Sequence, residues 1–127
     1  MRYDKKSFES IAKSCGEKSA LASVSYVDRL RRAGWDRGKT ICWEADGDGF
    51  ILCVEQKTHL RWFQIAVRKE AQGKGVGAGL VWHMIKYARA RGFDRITFLT
   101  KMPSWYNQFG AQIVGKTNEE YKMEIVL

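Results

Sequence analysis

The sequence predicts an α+β domain in which helices flank one mixed β-sheet, and three observations carry that prediction. Residues 5–34 hold two stretches with apolar positions at helical spacing. Residues 40–67 change to short runs rich in the β-branched and aromatic residues that suit a pleated surface. Residues 60–100 then read strand, glycine-rich turn, helix and strand, a crossover unit that joins two parallel neighbours.

The elements follow in order. In "KKSFESIAKSC" (5–15), Phe8, Ile11, Ala12 and Cys15 share one helix face. Ser19 is a candidate N-cap for a second helix that carries Leu21, Val24, Val27 and Leu30 and stops at Gly34. Beyond "WDRGK", the runs "TICWEA" (40–45) and "FILCVEQ" (50–56) are separated by the turn-forming "DGDG" and read as an antiparallel hairpin. Lys57 and Thr58 turn the chain into a third strand, "LRWFQIAV" (60–67). A helix follows from about Gly75 to Arg91, with Val76, Leu80, Met84 and Ala88 on one stripe flanked by Val81 and Ile85. Arg89 and Arg91 suit the negative end of its dipole, and Gly92 is a natural residue to end it. "RITFLT" (95–100) is the parallel strand of the crossover. A helical turn near Pro103 to Gln108 leads to two last strands, "AQIVGK" (111–116) and "YKMEIVL" (121–127).

With 127 residues, 45% of them hydrophobic, the chain fits one core, and residues 1–127 are expected to form a single domain. No run approaches the roughly 18–20 apolar residues of a spanning helix, and "MRYDKKSFES" has no apolar signal region, so a cytoplasmic location without membrane contact is expected. Cys15, Cys42 and Cys53 lack metal-ligand spacing and read as buried thiols, with no metal expected. The net charge of +8 is concentrated: between Lys57 and Lys101 there are ten basic residues and two acidic ones, Glu70 and Asp94. Such a field favours an anionic partner, either a polyphosphate-bearing small molecule or nucleic acid.

"AVRKEAQGKGVGAGLVWHMI" (66–85) narrows that choice. Glycines between a strand and a helix expose backbone amides at the positive end of a helix dipole and let an anion approach closely. A P-loop requires Lys followed by Ser or Thr, whereas Lys74 precedes Gly75. A dinucleotide fingerprint requires an acidic residue about 20 positions later, and none is present.

"QGKGVG" (Gln72–Gly77) does match the Gln/Arg-x-x-Gly-x-Gly/Ala signature of the GNAT superfamily of acyl-CoA-dependent N-acetyltransferases. "SWYNQFGAQIVGK", with Tyr106 and Gly110, is similar to that family's Tyr-x-x-x-Gly segment, so the chain resembles the family over roughly residues 40–127. The resemblance implies a GNAT-like fold and acetyl transfer from acetyl-CoA to a primary amine. It places the coenzyme A pyrophosphate against Gln72, Gly73, Lys74, Gly75, Val76, Gly77 and Ala78. The pantetheine amides fall along Ile65, Ala66 and Val67, and Tyr106 is the acid that protonates the departing thiolate.

Many members carry a glutamate base on the strand before the turn or at the end of the strand after the helix. Those positions are Arg61 and Leu99 here, and arginine stays charged at any ordinary pH. Glu55, His59 and Glu70 are the nearest substitutes; His59 has the chemistry of a base near neutrality and reads equally as a polar turn residue. Asp36, Asp46 and Asp48 would attract a cationic amine, although "DGDG" also reads as a tight turn alone. Two other functions compete: an acyl-CoA binder that lacks a base and does not turn over, and a nucleic-acid partner using the basic block and five tryptophans. Trp62 and Trp82 are expected to pack instead. Homodimers are common in the family, and nothing in the sequence selects one.

Overall fold

A computed structural model describes residues 4–34 and 39–127, so Asp36 lies outside the described residues. Helices α1 (Lys5–Cys15) and α2 (Lys18–Ala33) come first, followed by strands β1 (Thr40–Ala45), β2 (Gly49–Glu55) and β3 (His59–Val67). Helix α3 (Val76–Ala90) leads to β4 (Arg95–Thr100), a short 3-10 helix over Pro103–Phe109, β5 (Gln112–Lys116) and β6 (Tyr121–Val126). The six strands form one sheet in the order β1, β2, β3, β4, β6, β5. Only β3 and β4 run parallel, as a crossover through α3 requires. The predicted mixed sheet flanked by helices is the fold observed.

The first two helices begin in different ways. Asp4 caps α1, accepting from the amides of Lys6 and Ser7 at 3.1 and 3.3 Å, and Gly16 ends it with a left-handed φ of 77°. That turn leaves only Glu17 before α2. The cap position therefore falls on Glu17, whose backbone is extended and whose side chain makes no capping bond, while the expected cap, Ser19, is already inside the helix. Buried Asp28 joins the two helices through Lys5 at 3.3 Å and Arg32 at 2.6 Å.

Each face of the sheet carries its own core. Phe8, Ile11, Val24 and Val27 pack on Cys42, Phe50, Leu52 and Ala66, with the Phe8 and Phe50 rings stacked 4.6 Å apart. On the opposite face, Val81, Met84, Ile85 and Ala88 of α3 cover Leu60, Trp62, Ile96, Phe98 and Met123. Burial of each large apolar side chain contributes about 1.5–3 kcal/mol. Among the described residues, no helix is long and apolar enough to cross a membrane.

Two local features fix the shape of β3. Leu52 pairs with Gln64 and Cys53 with Trp62, so Phe63 is an extra residue in β3 and forms a bulge. The bulge reverses the alternation of faces. Leu60 and Trp62 point to α3 before it; afterwards Ile65 joins that side, and Ala66 packs in the core under α1 and α2. At the other end, the β1–β2 turn has Asp46 and Gly47 at φ 48° and 77° and a bond from the Asp48 amide to the Ala45 carbonyl at 2.8 Å. The Arg68 amide reaches back to the Asp48 carbonyl at 2.7 Å, which clamps this turn to the exit of β3. Asp46 and Asp48 thus serve the turn.

Candidate active site

The parallel pairing of β3 with β4 is short. It runs from His59 opposite Arg95 to Arg61 opposite Thr97 and then stops, so the two strands separate toward their C-terminal ends. The gap is a cleft of about 560 Å³ lined by Trp62 to Ile65 on one side and Phe98 to Thr100 on the other. Tyr106 lies against it, with its ring 5.3 Å from Trp62, 4.8 Å from Phe98 and 4.9 Å from Trp105. Burial raises the Tyr106 phenol above its ordinary pKa, a hydrogen bond with Thr100 opposes that rise, and the charge of Glu17 adds to it. The Thr100 hydroxyl also accepts from the Met102 amide at 3.1 Å. The phenol is accordingly held protonated through the neutral range.

The glycine turn stands where β3 ends. A 3-10 turn over Lys69–Ala71 leads to Gly73 at φ 78° and to Gly75, at φ 83° the cap residue of α3. No side chain caps α3, so the amides of its first turn face outward unused. A Cβ added at Gly73 or Gly75 would meet nothing within 4 Å, which leaves the approach to those amides open. Gln72 steadies the turn from outside through a 3.0 Å bond to the Val67 carbonyl, and Lys69 and Lys74 are exposed beside it. Such a turn accommodates a phosphate-bearing ligand.

Of the predicted residues, the structure brings Ile65 and Tyr106 to this cleft; Ala66, Val67 and Gln72–Ala78 do not line it, although Gly77 lies beside the Ile65 and Val67 side chains. It does not bring the two candidate bases there. Glu55 accepts from the Tyr87 hydroxyl at 2.8 Å and pairs with Arg91 at 3.3 Å, both on or just beyond α3. His59 opens β3 at the end where the sheet is still paired, and its ring contacts Thr58. Glu70 meets Ser14 of α1. Arg61 and Leu99 do line the cleft, together with two carboxylates the sequence reading passed over, Glu17 and Glu120. Glu17 gave no sequence signal because a glutamate before a helix reads as ordinary first-turn charge.

Among the described residues, five of the ten basic residues of the segment have partners within the fold. Arg91, Arg95 and Lys101 pair with Glu55, Glu124 and Glu119, Arg68 bonds Ser10, and the Arg61 guanidinium lies 4.7 Å over the Phe63 ring. Trp62 is 4% exposed and packs as expected, whereas Trp82 is 48% exposed, with its ring 5.4 Å from that of Phe109. Cys42 and Cys53 are buried; Cys15 is partly exposed. Among the described residues no group of His, Cys, Asp or Glu could hold a metal.

Helices on both faces of a mixed sheet, a parallel pair that parts, and an open glycine turn between β3 and α3 define an acyl-CoA-type transferase domain. The model of the acetyltransferase (GNAT) family matches residues 7–110, and the chain belongs to that family. The chain is similar to PaiA N-acetyltransferase from Thermoplasma acidophilum in complex with coenzyme A, at 14% identity and TM-score 0.74, covering 98% of this chain and 93% of that one. It is also similar to a GNAT family acetyltransferase from Brucella melitensis in complex with acetyl-CoA (18% identity, TM-score 0.74, 98% and 82% covered). An aminoglycoside 6'-N-acetyltransferase complexed with coenzyme A gives 15% identity and TM-score 0.72, with 96% and 89% covered. The comparison with curated protein sequences finds no significant match.

Proposed function

We propose that the protein is an N-acetyltransferase that moves the acetyl group of acetyl-CoA, its second substrate, to a primary amine by direct attack in a ternary complex. The observation that carries this reading is a set of three neighbouring features: an uncapped start of α3, a β3 segment freed from β4, and a half-buried phenol beside that segment. Gln72 to Ala78 would hold the pyrophosphate through main-chain amides and the α3 dipole. Ile65 to Val67 would pair with the pantetheine amides, which needs a strand with no neighbour on that side. Acetyl-CoA supplies an activated thioester. Tyr106 keeps its proton at neutral pH and can give it to the leaving sulfur, while Thr100 holds the phenol in place.

The test combines calorimetric acetyl-CoA binding with thiol release in the presence of amines. Gly75→Glu puts a carboxylate at the turn and is expected to abolish binding. Gly75→Ala, which carries only the roughly 1–2 kcal/mol strain of a left-handed backbone, is expected to bind. Tyr106→Phe is expected to bind normally and to lose roughly 100-fold in kcat. A wild-type protein that binds acetyl-CoA and never turns over would establish a binder without catalysis instead.

A further inference from the structure

The acetyltransferase reading leaves the amine without a receiver, because Glu55 is held by Tyr87 and Arg91 and His59 lies at the paired end of β3. A primary amine enters at neutral pH as an ammonium ion, so the cleft needs a group that holds it and takes one proton. Two carboxylates line the cleft. Glu17 comes from the two-residue link between α1 and α2; Glu120 comes from the turn between β5 and β6.

Their neighbours single out Glu17. It occupies a helix cap position without capping the helix, and among the described residues none forms an ion pair with its carboxylate. It lines the same cleft as Tyr106, and its charge adds to the rise of that phenol. Neither cation that lines the cleft pairs with Glu17: Lys101 pairs with Glu119 at 3.7 Å, and the Arg61 guanidinium lies over the Phe63 ring. Six of the seven ion pairs among the described residues lie outside the cleft, and the seventh uses Lys101 rather than either lining carboxylate.

Resting on the acetyltransferase reading, we propose that Glu17 is the residue that receives the acceptor's ammonium group, so that the acceptor is a cationic primary amine. The ammonium gives one proton to the Glu17 carboxylate, and the freed lone pair forms the new N–C bond at the thioester carbonyl. The C–S bond then breaks as the Tyr106 phenol protonates the sulfur. The phenolate recovers a proton from the acylated nitrogen, leaving a neutral amide, and Glu17 releases its proton to water. Glu120, which also lines the cleft, favours acceptors with a second positive charge over those with a negative one.

Three amines of one chain length test this: butane-1,4-diamine, butylamine and 4-aminobutanoate, each with saturating acetyl-CoA, followed by thiol release. The expected order of kcat/KM is diamine, monoamine, amino acid. Glu17→Gln is expected to lower kcat/KM about tenfold or more for the two cationic acceptors and to remove the acidic limb of the pH profile, with acetyl-CoA affinity unchanged. Glu120→Gln is expected to narrow the gap between the diamine and the monoamine and to leave the pH profile as it was. The exposed position of Glu17 leaves folding intact, which the melting temperature checks. Three results overturn the inference while acetyl-CoA binding stands: wild-type rates in Glu17→Gln, preference for 4-aminobutanoate, or no transfer to either cationic amine. Failure of the wild type to bind acetyl-CoA overturns the acetyltransferase reading, and the inference falls with it.

Discussion

Gly49→Ala is expected to damage the acetyl-CoA site from outside it. Gly49 is the first residue of β2, and a Cβ there would lie 2.9 Å from the Ala66 carbonyl oxygen, 3.1 Å from Val76 Cγ1 and 3.3 Å from Leu80 Cδ1. The leucine methyl can rotate away. The carbonyl cannot, because Ala66 is held in the ladder between β2 and β3, and a helical valine has essentially one rotamer. Overpacking of this kind costs about 1–3 kcal/mol. For a chain of this length that is a fall of roughly 5–10 °C in melting temperature, measured by far-UV circular dichroism. Ala66 belongs to the freed part of β3 and Val76 begins α3, so relief of the clash displaces both walls proposed for acetyl-CoA. Calorimetry is therefore expected to show weaker binding even at temperatures where the variant is fully folded. A variant that melts within about 1 °C of wild type, or binds equally well, would refute the claim that this contact sets the spacing of hairpin, strand and helix.

Other predictions concern titration and the residues outside the cleft. Cys42 is pushed up to about 11 by burial, and burial also raises Cys53 and Tyr106. Each is more easily ionised in the unfolded chain, so their contribution to stability is complete below about pH 9 and is lost as pH rises from there; urea midpoints measured from pH 7 to 11 check the sign. In the native protein only Cys15 is expected to react readily with a thiol reagent, and all three cysteines in denaturant, as counted by absorbance. Glu55→Gln is expected to cost about 1 kcal/mol by weakening the bonds to Tyr87 and Arg91 and to leave the pH profile of transfer unchanged, which steady-state kinetics would show.

Much of this architecture could be read from residue patterns. The apolar stripe of α3, the glycines around it and the turn-forming "DGDG" between β1 and β2 are local signals, and a crossover admits only a parallel pair. The N-terminus of α2 was missed for a local reason too: a left-handed Gly16 shortens the link and shifts the cap from Ser19 to Glu17. The bulge at Phe63 was not legible, because an extra residue is defined only by its partner strand. Its consequence is large, since it decides that Ile65 rather than Gln64 joins Trp62 on the α3 side. The cleft carboxylates were hidden for the same reason. Glu17 and Glu120 are more than a hundred positions apart in the chain and meet only once the sheet is assembled.

The parting of β3 from β4 also gives the sheet an edge in its interior. At the rim of a sheet, free main-chain groups accept any passing strand, and proteins guard them with charge or distortion. Here the guard is width. With α1 and α2 over one face and α3 and the Pro103–Phe109 helix over the other, only a slender guest can lie along the exposed backbone. A polypeptide strand, which brings side chains to both faces, is expected to fit less well than a narrow amide-bearing ligand, so the gap would sort ligands by cross-section before any side chain makes contact.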